Sequence, residues 1–292
     1  MRRRPFVLFA TVIVAVVATG CGLAPPTGPA PLRYRDEVFS GVTKTADVAF
    51  ASPTSRQSGL PVTLLADFYR PTGDTVTNRP AVVWVHGGGF TGGNRTSPEI
   101  VDEANTFAKK GFVNVSIEYR LSPTGCSAAN ATAECVAAIF DALTDAQTAV
   151  RWLRANAATY GVDPNRIAMG GSSAGAITAL NAAFWGDTPT AGPFPSESSR
   201  VQAAVSLSGS AVLGRIGAGD APTLDFHGTN DPLVPYAWGK KTVDDAHAAG
   251  LESYLITWQG AGHVPYVQNR TQILDLTTNF LYSTMGLANA AH

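Results

Sequence analysis

Short apolar runs alternating with helix-patterned stretches constrain this chain more than any other feature. AVVWVH (81–86) is a continuous apolar run, as expected of a strand covered on both faces. A helical segment follows at about 100–110 and ends at Gly111, and FVNVSIEYR (112–120) is the next strand. A helix over 139–158 carries Leu143, Ala146, Val150 and Leu153 at helical spacing. RIAMGG (166–171), VQAAVSLSG (201–209), PTLDFHG (222–228) and ESYLITWQG (252–260) read as further strands. Helices are expected over 174–184, 236–249 and 268–282. KTADVAF (44–50) and PVTLLADFYRP (61–71) look like a strand pair around a turn. This alternation predicts an α/β fold, with a mostly parallel central sheet and helices on both faces. The connections are too short for a large cap, and no internal repeat or second domain is evident.

The ends of the chain read differently. Arg2, Arg3 and Arg4 precede an apolar run of about 16 residues, short against the roughly 20 needed to span a bilayer. A basic start, an apolar middle and small residues describe an export signal over 1–20. Ala18-Thr19-Gly20-Cys21 resembles a bacterial lipoprotein signal, which implies cleavage before Cys21 and its acylation. The expected location is therefore the cell envelope, with a membrane surface as partner through the lipid, and plain secretion as the alternative. The Pro/Gly-rich stretch that follows reads as a flexible tether over 21–36, ahead of a catalytic domain over 37–287. Export favours a disulfide between the two remaining cysteines, Cys126 and Cys135. The net charge of −1, with no Lys/Arg block beyond the first residues, argues against nucleic acid as a partner.

Glycine is costly inside strands and helices, yet GGSSAGAITAL (170–180) clusters it at a strand–helix junction. Gly171-Ser172-Ser173-Ala174-Gly175 fits G-x-S-x-G, a sharp turn that lifts one serine hydroxyl above the sheet edge. Tiny residues on either side make room for that turn. Ser173 fits the position of the nucleophile and Ser172 does not. Such a serine needs a base, and the base needs an orienting group. His263 in QGAGHVP and Asp231 in HGTNDPLVP each follow a strand, so both fall at the carboxyl edge where Ser173 sits. His227 precedes a glycine at a strand end and reads as structural. Asp225 lies within its strand, while Asp244, Asp245 and His247 lie on a helix. His86-Gly87-Gly88-Gly89-Phe90 offers backbone N–H donors to an anionic oxygen, worth about 3–4 kcal/mol per donor in acyl transfer. Neither a phosphate-loop pattern nor a zinc-type His/Cys spacing is present, so no metal and no cofactor are expected.

HGGGF, EYRLSP, YGVDPNRIAMGGSSAGA, HGTNDPLVP and AGH together resemble α/β-hydrolase-fold serine carboxylesterases over residues 37–285. The resemblance is to HGGG-type bacterial enzymes, of the feruloyl-esterase-like or hormone-sensitive-lipase-like groups. It implies an oxyanion hole from Gly88, Gly89 and Ala174. The helical cap usual in the hormone-sensitive-lipase-like group is not expected, because the chain before residue 81 is strand-like and polar.

The expected function is hydrolysis of short- to medium-chain carboxylic esters through an acyl-enzyme on Ser173, with His263 as base and Asp231 as orienter. The substrate partner is a small or polymeric ester. The alternatives are a serine peptidase, a lipase with a mobile lid, and a non-catalytic binding protein on the same fold. The cysteine loop is expected to wall the site. Of Phe90, Phe184, Trp185, Trp238 and Tyr266, most are expected in core or rim packing, with Leu233 and Val234 near the pocket.

Overall fold

A computed structural model describes residues 23–126, 131–187 and 193–290. The expected signal and Cys21 lie outside the described residues. Eight strands form one sheet in the order β1-β2-β4-β3-β5-β6-β7-β8. They are β1 (Val42–Ala51), β2 (Leu64–Pro71), β3 (Arg79–Val85), β4 (Val113–Ile117), β5 (Val162–Ser172), β6 (Ala204–Leu207), β7 (Thr223–Gly228) and β8 (Tyr254–Trp258). β1 pairs with β2, and β2 with β4, in antiparallel fashion. Every pairing from β4 through β3 to β8 is parallel.

The central strands are apolar on both sides because helices cover both faces. Ala81, Val83 and Val85 of β3 face a core shared with α2 (Ala133–Ala155) and α4 (Ala174–Trp185). Val82 and Trp84 face the opposite core, shared with α1 (Pro98–Lys109) and α6 (Tyr266–Thr284). Two more helices complete the chain order, α3 (Ala157–Tyr160) and α5 (Tyr236–Ala248). Within the described residues, no connection folds into a cap. No described helix is long and apolar enough to cross a membrane.

The start of α2 lies furthest from the sequence reading. α2 begins at Ala133, six residues before its predicted start, because the Thr132 side chain caps it by accepting from the Cys135 N–H at 3.1 Å. Cys135 therefore sits in the first helical turn, joined by a disulfide to Cys126 with the Cα atoms 4.9 Å apart.

The larger correction concerns the tether. From Leu23 onward the segment is docked on the domain. Leu23 is buried in the α1/α6 core and its carbonyl accepts from the Asn279 side chain at 3.1 Å. Tyr34 is fully buried, edge-on to Phe112 at 5.3 Å. Arg33 pairs with Asp74 at 2.5 Å. Pro and Gly content signalled a free linker. A single Tyr-sized apolar payload, worth roughly 1.5–3 kcal/mol when buried, together with these polar contacts favours docking instead.

Candidate active site

β5 ends at Ser172 and α4 begins at Ala174, leaving Ser173 between them with φ 54° and ψ −117°. A non-glycine residue held there costs on the order of 1–3 kcal/mol. Its neighbours over-determine it. The Ser173 N–H donates to Leu207 O at 2.8 Å, and its carbonyl accepts from Ile177 N–H at 2.9 Å. The flanking glycines serve close approach rather than freedom of φ. A Cβ on Gly171 would lie 2.5 Å from the Gly175 carbonyl carbon, and one on Gly175 would lie 2.0 Å from Val85 O.

Ser173 Oγ lies 2.8 Å from His263 Nε2, and His263 Nδ1 lies 2.7 Å from Asp231 Oδ2. The Asp231 side chain is wholly buried. Burial alone would push its carboxyl up. Hydrogen bonds from His227, His263, Val234 and Leu233 outweigh that effect and hold the group well below the usual carboxylate range. An ionised Asp231 can only accept, so His263 carries its proton on Nδ1 and presents a lone pair at Nε2 to the Ser173 hydroxyl. The loop carrying His263 is fixed by Val264 N–H, which donates to Ser208 Oγ at 3.0 Å.

The chain after β3 turns back sharply at Gly88, whose φ is 121° and whose Cβ, if present, would lie 2.1 Å from Gly92 O. Thr91 and Gly92 N–H groups close the turn on Gly88 O, each at 3.1 Å. Among the described residues, no protein acceptor takes the N–H of Gly88 or Gly89. Ala174 opens α4, so its N–H has no intrahelical partner either. His86 stacks on Tyr119 at 4.4 Å, and burial pushes its imidazole pKa down, so it sits neutral beneath this loop.

Ser173, His263, Gly88, Gly89 and Ala174 all line one cleft of about 1460 Å³ at the carboxyl edge of the sheet. Its two sides differ in character. Ile139, Ile177 and Leu213, with the Cys126–Cys135 bridge, make an apolar wall on the α2/α4 side. Glu99, Asp102, Tyr266 and Arg270 make a polar wall on the α1/α6 side. Phe90, Trp238, Tyr266, Leu233 and Val234 line the cleft, whereas Phe184 is core and Trp185 packs edge-on to Phe140.

Three further polar residues that the sequence singles out lie outside the Ser173–His263–Asp231 line. Ser172 turns away from His263 and donates to Glu99 Oε1 at 2.7 Å. Asp225 is buried on β7, pushed up to about 6 by burial and accepting from Thr223 Oγ1. His247 bonds Ser253 O from the far end of α5. Sequence reasoning missed Glu99, Ser208 and the position of His227, which lies against Asp231. Among the described residues, no group of three or more His, Cys, Asp or Glu side chains could hold a metal ion.

The BD-FAE family profile matches residues 66–217, more than half of the chain. The chain belongs to the BD-FAE family. This BD-FAE chain also matches a TAP-like protein profile over residues 198–285. It is 41% identical over 102 residues to phenmedipham hydrolase of Pseudarthrobacter oxydans, covering 35% of this chain and 19% of that protein. It is 27% identical over 235 residues to the probable carboxylic ester hydrolase LipM of Mycobacterium tuberculosis, covering 78% of this chain and 46% of that one. The chain thus spans about a fifth and under half of the two relatives' lengths. Esterase 2 of Thermogutta terrifontis superposes with a TM-score of 0.69 at 24% identity, covering 84% of this chain and 95% of that one. The fold of this BD-FAE member is therefore the α/β-hydrolase fold.

Proposed function

We propose that this BD-FAE chain is a carboxylic ester hydrolase that works through an acyl-enzyme on Ser173. The observation that supports this most is the continuous hydrogen-bonded line from Ser173 Oγ through His263 to buried Asp231, beside unpaired N–H donors. Ser173 Oγ attacks the ester carbonyl carbon as its proton passes to His263 Nε2. The carbonyl oxygen, now anionic, rests on the N–H groups of Gly88, Gly89 and Ala174. The tetrahedral centre collapses, the carbon–oxygen bond to the alcohol breaks, and His263 returns the proton to the leaving oxygen. Water then attacks the acyl-Ser173, giving a proton to His263. The acid departs as that proton returns to Ser173. Asp231 stabilises the imidazolium in both steps without taking its proton.

An apolar wall without a cap suits short to medium acyl chains. Across p-nitrophenyl esters from acetate to palmitate, kcat/KM rises with chain length only up to about eight carbons and gains nothing further by palmitate, since a CH₂ left in water adds none of the about 0.8 kcal/mol that burial would give. A maximum at palmitate would instead support a lipase.

We also propose that the chain is exported and acylated at Cys21, on the strength of the Arg2–Arg4 and Ala18–Cys21 pattern. With residues from Leu23 docked on the domain, such an anchor holds the domain against the bilayer rather than on a long linker. Labelled palmitate enters the expressed full chain and not its Cys21→Ser variant; equal labelling of both would overturn this.

A further inference from the structure

We propose that His227 is a positioning residue whose imidazole holds the Asp231 carboxylate in the orientation that His263 requires. The inference rests on the proposed catalytic use of Ser173, His263 and Asp231. His227 is nearly inaccessible at 1% exposure, on β7 four residues before Asp231. Its Nε2 lies 2.9 Å from Val234 O and 3.3 Å from Asp231 Oδ2. A carbonyl can only accept, so Nε2 carries the proton and points it between these two oxygens.

The two carboxylate oxygens of Asp231 are held from different directions. Oδ1 accepts from the N–H groups of Leu233 and Val234, each at 2.9 Å, within its own turn. Oδ2 faces two side chains, His263 on the cleft side and His227 on the core side. The backbone donors seat one oxygen. His227 ties the other oxygen and the Val234 end of the turn to the rigid strand β7. The carboxylate is thereby clamped at both ends of the turn, and its second oxygen stays aimed at Nδ1 of His263.

The space around the ring matches this role. His227 Nδ1 has no hydrogen-bond partner. It packs against Gly239 of α5, where an added Cβ would lie only 2.4 Å from Nδ1. Tyr236 meets the ring edge-on at 5.8 Å. A buried imidazole that uses only one nitrogen, and that nitrogen on the turn holding Asp231, is placed for orientation. It neither touches Ser173 nor lines the cleft, so it exchanges no proton with substrate.

The test uses the full chain, with kcat and KM on p-nitrophenyl butyrate and the thermal midpoint for each variant. In His227→Gln the amide nitrogen reaches the Nε2 position, so kcat stays within about threefold of wild type. In His227→Asn the amide reaches only the Nδ1 position, and kcat falls about 10–100-fold, the size of loss seen when a group that orients a metal-ligating side chain is removed. KM stays within about twofold, because the cleft is untouched. In an Asp231→Asn background, His227→Asn costs less than about threefold more, because its role is exercised through Asp231. The far-downfield proton resonance of His263 Nδ1–H is kept in His227→Gln and lost in His227→Asn. Equal losses in the Gln and Asn variants, or full additivity with Asp231→Asn, would overturn the inference. If the wild type turns over no ester, the proposed function fails, and the proton resonance still decides whether His227 positions Asp231.

Discussion

Ser173→Ala is expected to abolish ester turnover, with kcat on p-nitrophenyl butyrate falling about 10⁴–10⁶-fold, as for removal of other serine nucleophiles. The residual rate comes from water in a cleft that still offers N–H donors. The loss is chemical, because alanine occupies the same strained φ as serine and the anchoring bonds to Leu207 and Ile177 are backbone bonds. The thermal midpoint therefore moves by no more than a few degrees. Ser172→Ala is the contrasting case. Its hydroxyl is committed to Glu99 and turned from His263, so activity falls by less than about tenfold. A comparable collapse in both variants would mean that the turn, rather than one hydroxyl, carries the activity.

Asp231→Asn is expected to lower kcat by about 10⁴-fold while leaving the fold intact. The local donors dictate the reason. Leu233 and Val234 N–H groups both point at Oδ1, so the carboxamide must place its oxygen there. Its NH₂ then faces His263, whose Nδ1 must accept, which moves the imidazole proton to Nε2. A protonated Nε2 cannot take the Ser173 proton. The same NH₂ also meets the Nε2–H of His227 head-on. Stability gives a second reading of this variant. The Asp231 carboxyl is held well below its ordinary value in the fold, so its contribution is complete above the ordinary carboxylate range. That contribution is lost as pH falls through the folded value. Denaturation midpoints of Asp231→Asn should accordingly depend less on pH on the acid side than those of the wild type.

The elbow around Ser173 was legible because its signal is local. Gly171 and Gly175 flank Ser173 in the sequence, and any Cβ there would lie 2.0–2.6 Å from Val85 O of the neighbouring strand, so only glycine fits. Asp231 and His263 were legible because loops after parallel strands converge on one edge. Contacts made through space were not. Glu99 reaches Ser172 from 73 residues away, and Ser208 reaches Val264 from 56. No periodicity encodes such pairings. His227 read as structural because a histidine before a glycine has no pattern that reveals a neighbour across its own turn. The docked segment from Leu23 to Asp36 was misread for a related reason. Proline and glycine content describes backbone stiffness, whereas docking depends on whether the domain offers a slot for Tyr34. Glu103 was equally invisible. It is fully buried with both carboxyl oxygens unpartnered, and burial pushes it well above the usual range.

Reaction with diethyl p-nitrophenyl phosphate, followed by peptide mass mapping, tests the central claim most directly. An activated serine attacks the phosphorus, expels p-nitrophenolate and keeps the phosphoryl group, so the nucleophile is marked by mass. The account predicts one diethylphosphoryl group per chain, on Ser173, accumulating in step with loss of esterase activity. It predicts none in Ser173→Ala. A label on Ser172 or another residue, or full ester turnover by a chain that carries no label, would contradict it.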